Sequence, residues 1–114
     1  MTHVYKILPA TEWSAAGAQG SFTGSAIDLE DGYIHLSSAT QAAETARLHF
    51  AGRDGLVLVQ LRAEDFGEAL KWEASRGGAL FPHLYAALDP ARALAVHPLP
   101  LNTDGWPDPG PLTP

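Results

Sequence analysis

The chain has 114 residues, a length typical of one domain with a single hydrophobic core. Its 13 acidic and 7 basic side chains give a formal net charge of −6, so it lacks the basic surface that DNA or an anionic membrane would attract. It contains no cysteine, which excludes disulfides and thiolate chemistry. The first residues, MTHVYKILPATEW, do not resemble a signal peptide, and no apolar run could cross a bilayer. We therefore expect a soluble, cytoplasmic protein.

The first third of the chain predicts one strand, one short helix and a loop. Residues 4–8, VYKIL, are typical of a strand that Pro9 would end. Thr11 is a suitable N-cap for a following helix, and Gly17 and Gly20 would end that helix. Residues 21–32 mix Gly, Ser, Asp and Glu, a composition that predicts a loop or a flexible flap beside a pocket.

The next segment predicts a strand followed by an alanine-rich helix. In YIHLS, residues 33–37, alternation would place Tyr33, His35 and Ser37 on one face. Ser38 and Gln41 have the spacing of a capping box at the start of a helix. One apolar stripe follows at helical spacing, and it would allow close packing on a sheet: Ala39, Ala42, Ala43, Ala46 and Phe50.

The second half of the chain is dominated by predicted strands. LVLVQL, residues 56–61, is apolar on both faces and predicts a central strand. LKWE at 70–73, HLYAAL at 83–88 and ALAVHPL at 93–99 predict three more strands, and Asp89-Pro90 predicts a helical turn. Residues 1–99 would form one globular domain, and residues 100–114 a proline-rich tail. The expected fold class is α+β, with a small antiparallel or mixed sheet, single or split, and two helices.

Two histidines are candidates for a functional site. His35 lies between apolar residues of a predicted strand, where it is either a half-buried structural side chain or an imidazole facing a ligand. His83 follows Pro82, which fixes the backbone and either forms a sheet edge or directs the next side chain. We expect His3, His49 and His97 to be structural or exposed.

Two neighbouring features have both a structural and a functional interpretation. Glu73 follows Trp72 at the end of a predicted strand, where it is either a solvated carboxylate or an acid–base group beside an aromatic wall. The Arg76-Gly77-Gly78 segment is either a turn or a local anion cradle.

Several familiar site classes lack support. The histidines are 14 or more residues apart, without the close pairs typical of zinc motifs, so no metal site is expected. The sequence also lacks G-x-S-x-G, a Walker loop and G-x-G-x-x-G.

Ordered motifs across residues 4–99 carry a resemblance to a known family. VYKILP-x-x-EW, DGYIHLSSATQ, LVLVQL, LKWE and FPHLY, in that order, resemble an uncharacterised bacterial family, domain of unknown function 952. That family is remotely similar to the ADP-ribosyltransferase-like fold, which includes NAD-using polymerases and RNA 2′-phosphotransferases. This similarity implies a split sheet of two packed antiparallel halves with an NAD site between them.

The resemblance also implies site positions. The polar residue on the first strand corresponds to Lys6, where relatives commonly have histidine, and the residue on the second strand corresponds to His35. A lysine can hold a phosphate but, when charged, accepts no hydrogen bond. Near FPHLY, where transferases often place a glutamate that stabilises an oxocarbenium-like transition state, this chain has His83, and Glu73 lies about one strand earlier.

Three hypotheses follow for the function. The first is an ADP-ribosyltransferase-like enzyme that acts on NAD or a related phosphorylated ribose, with His35, His83 and Glu73 as catalytic residues and no required cofactor. The second is a binding module for a nucleotide-like ligand, and the third is a structural or partner-binding domain. The oligomeric state is left open. The ligand-binding candidates are Lys6, Tyr33, Ser37, Trp72, Arg76 and Tyr85.

Overall fold

The strands of this α+β chain form two antiparallel sheets. The computed structural model describes residues 1–75 and 77–114. In chain order the elements are β1 (His3–Pro9), α1 (Ala10–Gln19), α2 (Ala26–Asp31), β2 (Ile34–His35), β3 (Ser37–Ser38), α3 (Ala42–His49), β4 (Leu56–Arg62), β5 (Leu70–Ser75), β6 (Ala79–Leu84) and β7 (Ala95–Leu99). The larger sheet has the order β3-β1-β4-β7, and the smaller has the order β2-β6-β5. The α+β prediction is confirmed, in its version with two separate sheets.

Strand β4 is central in the larger sheet, as the LVLVQL pattern predicts. It pairs with β1 on one side and with β7 on the other. Leu58 belongs to one apolar cluster and Val59 and Leu61 to another, so the strand has buried side chains on both faces. This is the physical reason why its sequence is apolar without alternation.

The two faces of the larger sheet support two apolar clusters. Val4 and Leu8 of β1 pack with Ile34 and Leu84 of the smaller sheet, while the alternate residue Tyr5 faces the second cluster. The second cluster contains Ala42 and Ala46 of α3, both with no exposed surface. Ala42 and Ala46 of the predicted alanine stripe are therefore confirmed as the packed face of α3, whereas Ala39 and Phe50 contact the cluster from outside the helix and Ala43 is not part of it.

The segment YIHLS does not form the single strand that its alternation predicts. Ile34–His35 pairs with β6, whereas Ser37–Ser38 pairs with β1 in the other sheet. Between them, the Leu36 N–H donates to the Pro82 carbonyl at 3.0 Å. Alternation does not specify the partner of each strand, so the crossing between sheets was not predictable from it.

The predicted loop at 21–32 is wrong, because it contains α2. The Ser25 N–H donates to Asp28 Oδ2 at 2.9 Å, which is one half of a capping box. Gly32 ends the helix with a φ of 88°. At Gly24, with a φ of 130°, a Cβ would lie 2.8 Å from the Cβ of Asp28, so only glycine allows this close approach.

Several predicted boundaries also need correction. Helix α1 begins at Ala10 directly after Pro9, so Thr11 is not its N-cap, and Gly17 lies inside it, whereas Gly20 ends it as predicted. The glutamine half of the predicted capping box is present, because the Ser38 N–H donates to Gln41 Oε1 at 3.0 Å, but the Ser38 hydroxyl bonds Thr40 and α3 begins only at Ala42.

Two of the later strands also differ from the prediction: β5 extends further, and β6 begins earlier in the chain. Strand β5 continues to Ser75, so Glu73 is not at its end. Strand β6 covers Ala79–Leu84 and ends where the predicted HLYAAL strand begins. The predicted helical turn is present at Pro90–Arg92, with Asp89 accepting from the Ala91 N–H.

The C-terminal tail packs on the larger sheet. Trp106 and Leu112 contact the second apolar cluster, and the Tyr5 hydroxyl donates to the Thr113 carbonyl. Pro107 is fully buried. The tail therefore packs on the same apolar cluster as α3. Within the described residues, no helix has the length and apolar character required to cross a membrane.

We expect Trp106→Ala to lower the free energy of unfolding by about 2 kcal/mol, because the substitution exposes part of the second apolar cluster. Urea denaturation measures this change. Thr103→Ala is the control: it alters an exposed residue of the same tail and should change stability by less than about 0.5 kcal/mol. Equal effects of both substitutions would show that the tail does not protect the cluster.

Candidate functional site

A cavity of about 460 Å³ lies where the two sheets separate beside β1. Strand β3 pairs with β1 only at Val4 and Tyr5, so the next residue, Lys6, lies beside the opening between the sheets. The cavity has apolar walls from Ile7, Leu36 and Phe81, among others. Its polar lining includes Lys6, Asp31, His35, Ser37, Thr45, His49, Arg53, Ser75 and His83.

The centre of the site is a buried ion pair between Lys6 and Asp28. The Lys6 ammonium lies 2.8 Å from Asp28 Oδ2 and 3.1 Å from Oδ1, and it donates to the His35 carbonyl at 3.0 Å. Lys6 is 5% exposed and Asp28 is 1% exposed. Three acceptors match the three ammonium protons, so the charge of Lys6 is compensated inside the protein.

The electrostatics of the pair keep Asp28 ionised. Burial by itself raises the pKa of the Asp28 carboxyl, but the hydrogen bond from His35 and the charge of Lys6 outweigh it, and the pKa is lowered to about 2. Burial lowers the pKa of the Lys6 ammonium, and the nearby Asp28 carboxylate opposes this change.

Asp28 also fixes the orientation of His35. Its Oδ1 accepts from the His35 backbone N–H at 3.0 Å and lies 2.6 Å from the ring Nδ1. The other ring nitrogen, Nε2, lies 2.9 Å from Asp31 Oδ2. His35 therefore has a carboxylate of α2 on each ring nitrogen.

His83 is the cross-strand partner of His35. The two residues pair directly between β2 and β6, and their ring centroids are 5.7 Å apart. His83 Nδ1 lies 2.8 Å from Glu73 Oε1, which also accepts from the Tyr85 hydroxyl at 2.7 Å. When Nδ1 donates to Glu73, the lone pair of the imidazole is on Nε2, which is then available to a ligand.

The hydrogen bonds around Glu73 shift two pKa values. The bonds from Tyr85 and His83 lower the pKa of the exposed Glu73 carboxyl. The same bond from Tyr85 to Glu73 raises the pKa of the Tyr85 phenol to about 12. Glu73 is therefore ionised and Tyr85 is neutral at physiological pH.

Aromatic rings enclose the other side of His83. Tyr33 stacks on His83 with a centroid distance of 4.1 Å, and Tyr85 lies 5.2 Å from Tyr33. Burial and the carboxylates of Asp31 and Glu73 raise the pKa of Tyr33. Tyr33 and Tyr85 also line a second cavity, of about 300 Å³.

The structure brings most of the predicted site residues together. Lys6, His35, Ser37 and His83 line one cavity. Beside this cavity, His83 contacts Glu73 and Tyr33, and Tyr33 in turn contacts Tyr85.

Two predicted ligand-binding residues are not part of this group. Trp72 pairs with Pro82, and alternation places it on the opposite face of the smaller sheet from Glu73. Arg76 lies outside the described residues. In the part of the chain that the structure describes, no group of three or more His, Asp or Glu side chains could hold a metal ion.

Sequence reasoning missed Asp28, although Asp28 organises the site. The Ser25-x-x-Asp28 spacing is a capping-box signal for α2 and could have indicated this helix. Asp31 was also missed, because it approaches the cavity only through the tertiary fold. Arg53 is one of seven basic side chains in the sequence that could meet a phosphate, but no local pattern distinguishes it from the other six.

Comparisons with known proteins place the chain in a family. The model of a family of proteins of unknown function, DUF952, matches residues 7–96. A crystal structure of CC0527 from Caulobacter crescentus is 55% identical over 96% of both chains, with a TM-score of 0.93. A solution NMR structure of CC0527 is 56% identical over 94% of this chain and 92% of that chain, with a TM-score of 0.85. No curated protein matches the chain.

We expect Asp28→Asn to lower the free energy of unfolding at neutral pH by about 3–5 kcal/mol, because it leaves the Lys6 ammonium buried without a counter-charge. The effect should depend on pH. The pKa of Asp28 is about 2 in the folded protein, below its ordinary value of 3.8, so ionised Asp28 stabilises the fold at pH values above 3.8. As the pH falls from 3.8 to 2, the free energy of unfolding of wild type should decrease by about 2 kcal/mol more than that of Asp28→Asn.

Urea denaturation between pH 7 and pH 2 measures both effects. Asp31→Asn is the control, because it removes a carboxylate on the same helix while the Lys6–Asp28 pair remains; we expect it to cost less than about 1 kcal/mol. If Asp28→Asn and Asp31→Asn were equally stable, the buried pair would not be the main anchor of α2.

Proposed function

The chain belongs to the family of proteins of unknown function DUF952. For this member of the family we propose that the cavity binds a small ligand of the phosphorylated-ribose class, such as NAD or ADP-ribose. The observation that carries the proposal is the convergence of two imidazoles, His35 and His83, on one cavity between the two sheets. We further propose that this arrangement of two packed sheets is ADP-ribosyltransferase-like.

The size and lining of the cavity support a ligand of this kind. Its volume of about 460 Å³ falls within the range typical of small-molecule sites, and most such sites combine apolar walls with a few polar groups. Here Ile7, Leu36 and Phe81 supply apolar wall, while His83 supplies a hydrogen-bonding group suited to a sugar hydroxyl.

The two histidines have different roles in this proposal. Both ring nitrogens of His35 are already bonded to carboxylates, so a ligand contacts the ring of His35 or takes the place of Asp31 at Nε2. His83 has one ring nitrogen bonded to Glu73 and the other available. We therefore assign the principal hydrogen bond to the ligand to His83 Nε2.

Lys6 has a supporting role rather than a direct one. Its three protons are all donated to Asp28 and to the His35 carbonyl, so it does not hold a phosphate in this arrangement. It instead holds α2 and β2 next to the cavity.

We expect a ligand of this class to raise the melting temperature of the protein. A ligand at 100 times its Kd stabilises the fold by about 2.7 kcal/mol. Differential scanning fluorimetry with NAD, ADP-ribose and ribose 2′-phosphate measures the shift. His83→Ala should reduce it, whereas Trp72→Ala, on the opposite face of the smaller sheet, should not. If none of the three compounds shifted the melting temperature of wild type, this ligand class would be ruled out.

A second candidate function is catalysis of glycosyl transfer or hydrolysis at the same ligand. The observation that favours it is the Glu73 carboxylate on His83 Nδ1, because a carboxylate in this position orients an imidazole and stabilises its protonated form during general-base catalysis. In such a reaction the oxygen of the attacking hydroxyl group or water bonds to the ribose carbon that carries nicotinamide, and its proton passes to His83 Nε2, which then serves as base instead of binding the sugar. The bond between ribose and nicotinamide breaks, and nicotinamide leaves as a neutral molecule with the electron pair of that bond.

If the protein is a catalyst of this kind, it should release nicotinamide from NAD. Chromatographic detection of nicotinamide measures the rate, and His83→Ala should lower it by about 100-fold or more, as expected for loss of a general base. Ligand binding without release by wild type would identify a non-catalytic binding module.

A further inference from the structure

Arg53 is a second cation at the cavity, and its surroundings differ from those of Lys6. It follows α3 and lines the cavity together with Thr45 of that helix. Its guanidinium lies over the Phe50 ring, 5.0 Å from the ring centroid. Among the described residues, the ion pairs use Lys6, Arg47 and the histidines, and none includes Arg53.

We propose that Arg53 binds a phosphate group of the ligand, while the histidines contact its sugar. This inference rests on the proposed function and assigns the orientation of the ligand within the same cavity. The Arg53 guanidinium approaches from the loop after α3, and His35 and His83 belong to the smaller sheet. A phosphorylated sugar likewise has an anionic end and a hydroxyl-bearing end.

The chemistry of the arginine fits this role. A guanidinium is planar, always charged, and able to donate two parallel hydrogen bonds to one phosphate. Stacking on Phe50 limits its rotation, which reduces the entropy lost when it binds an anion. Lys6 cannot take this role without breaking its buried ion pair with Asp28.

The charge of the whole chain makes a local anchor necessary. With a net charge of −6, the protein as a whole repels anions, so the affinity for a phosphorylated ligand depends on individual cations at the site. Arg53 meets this requirement because it lines the cavity without a carboxylate partner among the described side chains.

The matched control for Arg53 is Arg47. Arg47 lies on α3, is exposed, and pairs with Glu44 at 3.3 Å rather than lining the cavity. Arg53→Ala and Arg47→Ala therefore remove the same charge from neighbouring positions. Both side chains are exposed, so neither substitution is expected to unfold the protein, and circular dichroism verifies this.

The test is isothermal titration of wild type and both variants with ADP-ribose, and with adenosine as a ligand without phosphate. We expect Arg53→Ala to weaken ADP-ribose binding by about tenfold or more and to leave adenosine binding unchanged, while Arg47→Ala changes either affinity by less than about twofold. Equal losses in both variants would indicate a long-range charge effect and overturn the assignment of Arg53.

The outcomes separate this inference from the proposed function. If wild type and Arg53→Ala bound ADP-ribose equally well, the cavity would remain a site for this ligand class but Arg53 would not be its phosphate anchor. If wild type bound ADP-ribose no more tightly than adenosine, the phosphate would add nothing and the role of Arg53 would be rejected. If wild type bound neither compound, both the proposed function and the inference would be rejected.

Discussion

The buried ion pair between Lys6 and Asp28 is the interaction on which the site depends. Lys6 lies next to the point where β1 loses its partner β3, and there a buried ammonium needs a counter-charge. Asp28 supplies this charge from α2, and it also accepts hydrogen bonds from Ser25 and His35. One carboxylate thus ties β1, α2 and β2 together. Because α2 has only six residues, it has little stability of its own and depends on this contact.

Burying the Lys6–Asp28 pair costs desolvation free energy, so its main role is to position α2 and His35 rather than to add stability. Two charges removed from water gain little net stability, and apolar residues of similar volume often do as well. The apolar side chains of α2, Ile27 and Leu29, are mostly exposed, so apolar burial does not hold this helix in place. Polar contacts hold it instead, and the same contacts orient His35 through both of its ring nitrogens. A short helix attached in this way places two carboxylates beside the cavity.

The fold was predictable where one local pattern has one structural solution. The apolar run LVLVQL predicts a buried strand, and the alanine stripe predicts a helix that packs closely on a sheet. Local patterns failed where the decisive partner is distant. YIHLS alternates like one strand, yet β2 and β3 join different sheets. Helix α2 is short and has exposed apolar side chains, so it carries almost no periodic signal.

The candidate site shows the same division between local and tertiary information. By itself the sequence determined the type of the central strand, the helical stripe and the two histidines as candidates, because apolar periodicity and residue chemistry are properties of short segments. The tertiary structure alone decided that His35 and His83 pair on adjacent strands of one sheet, that Asp28 neutralises Lys6, and that Arg53 reaches the same cavity. Asp28 is 22 residues from Lys6 in the chain. A hydrogen bond over that separation depends on how the sheets and α2 pack, and no local pattern encodes that packing.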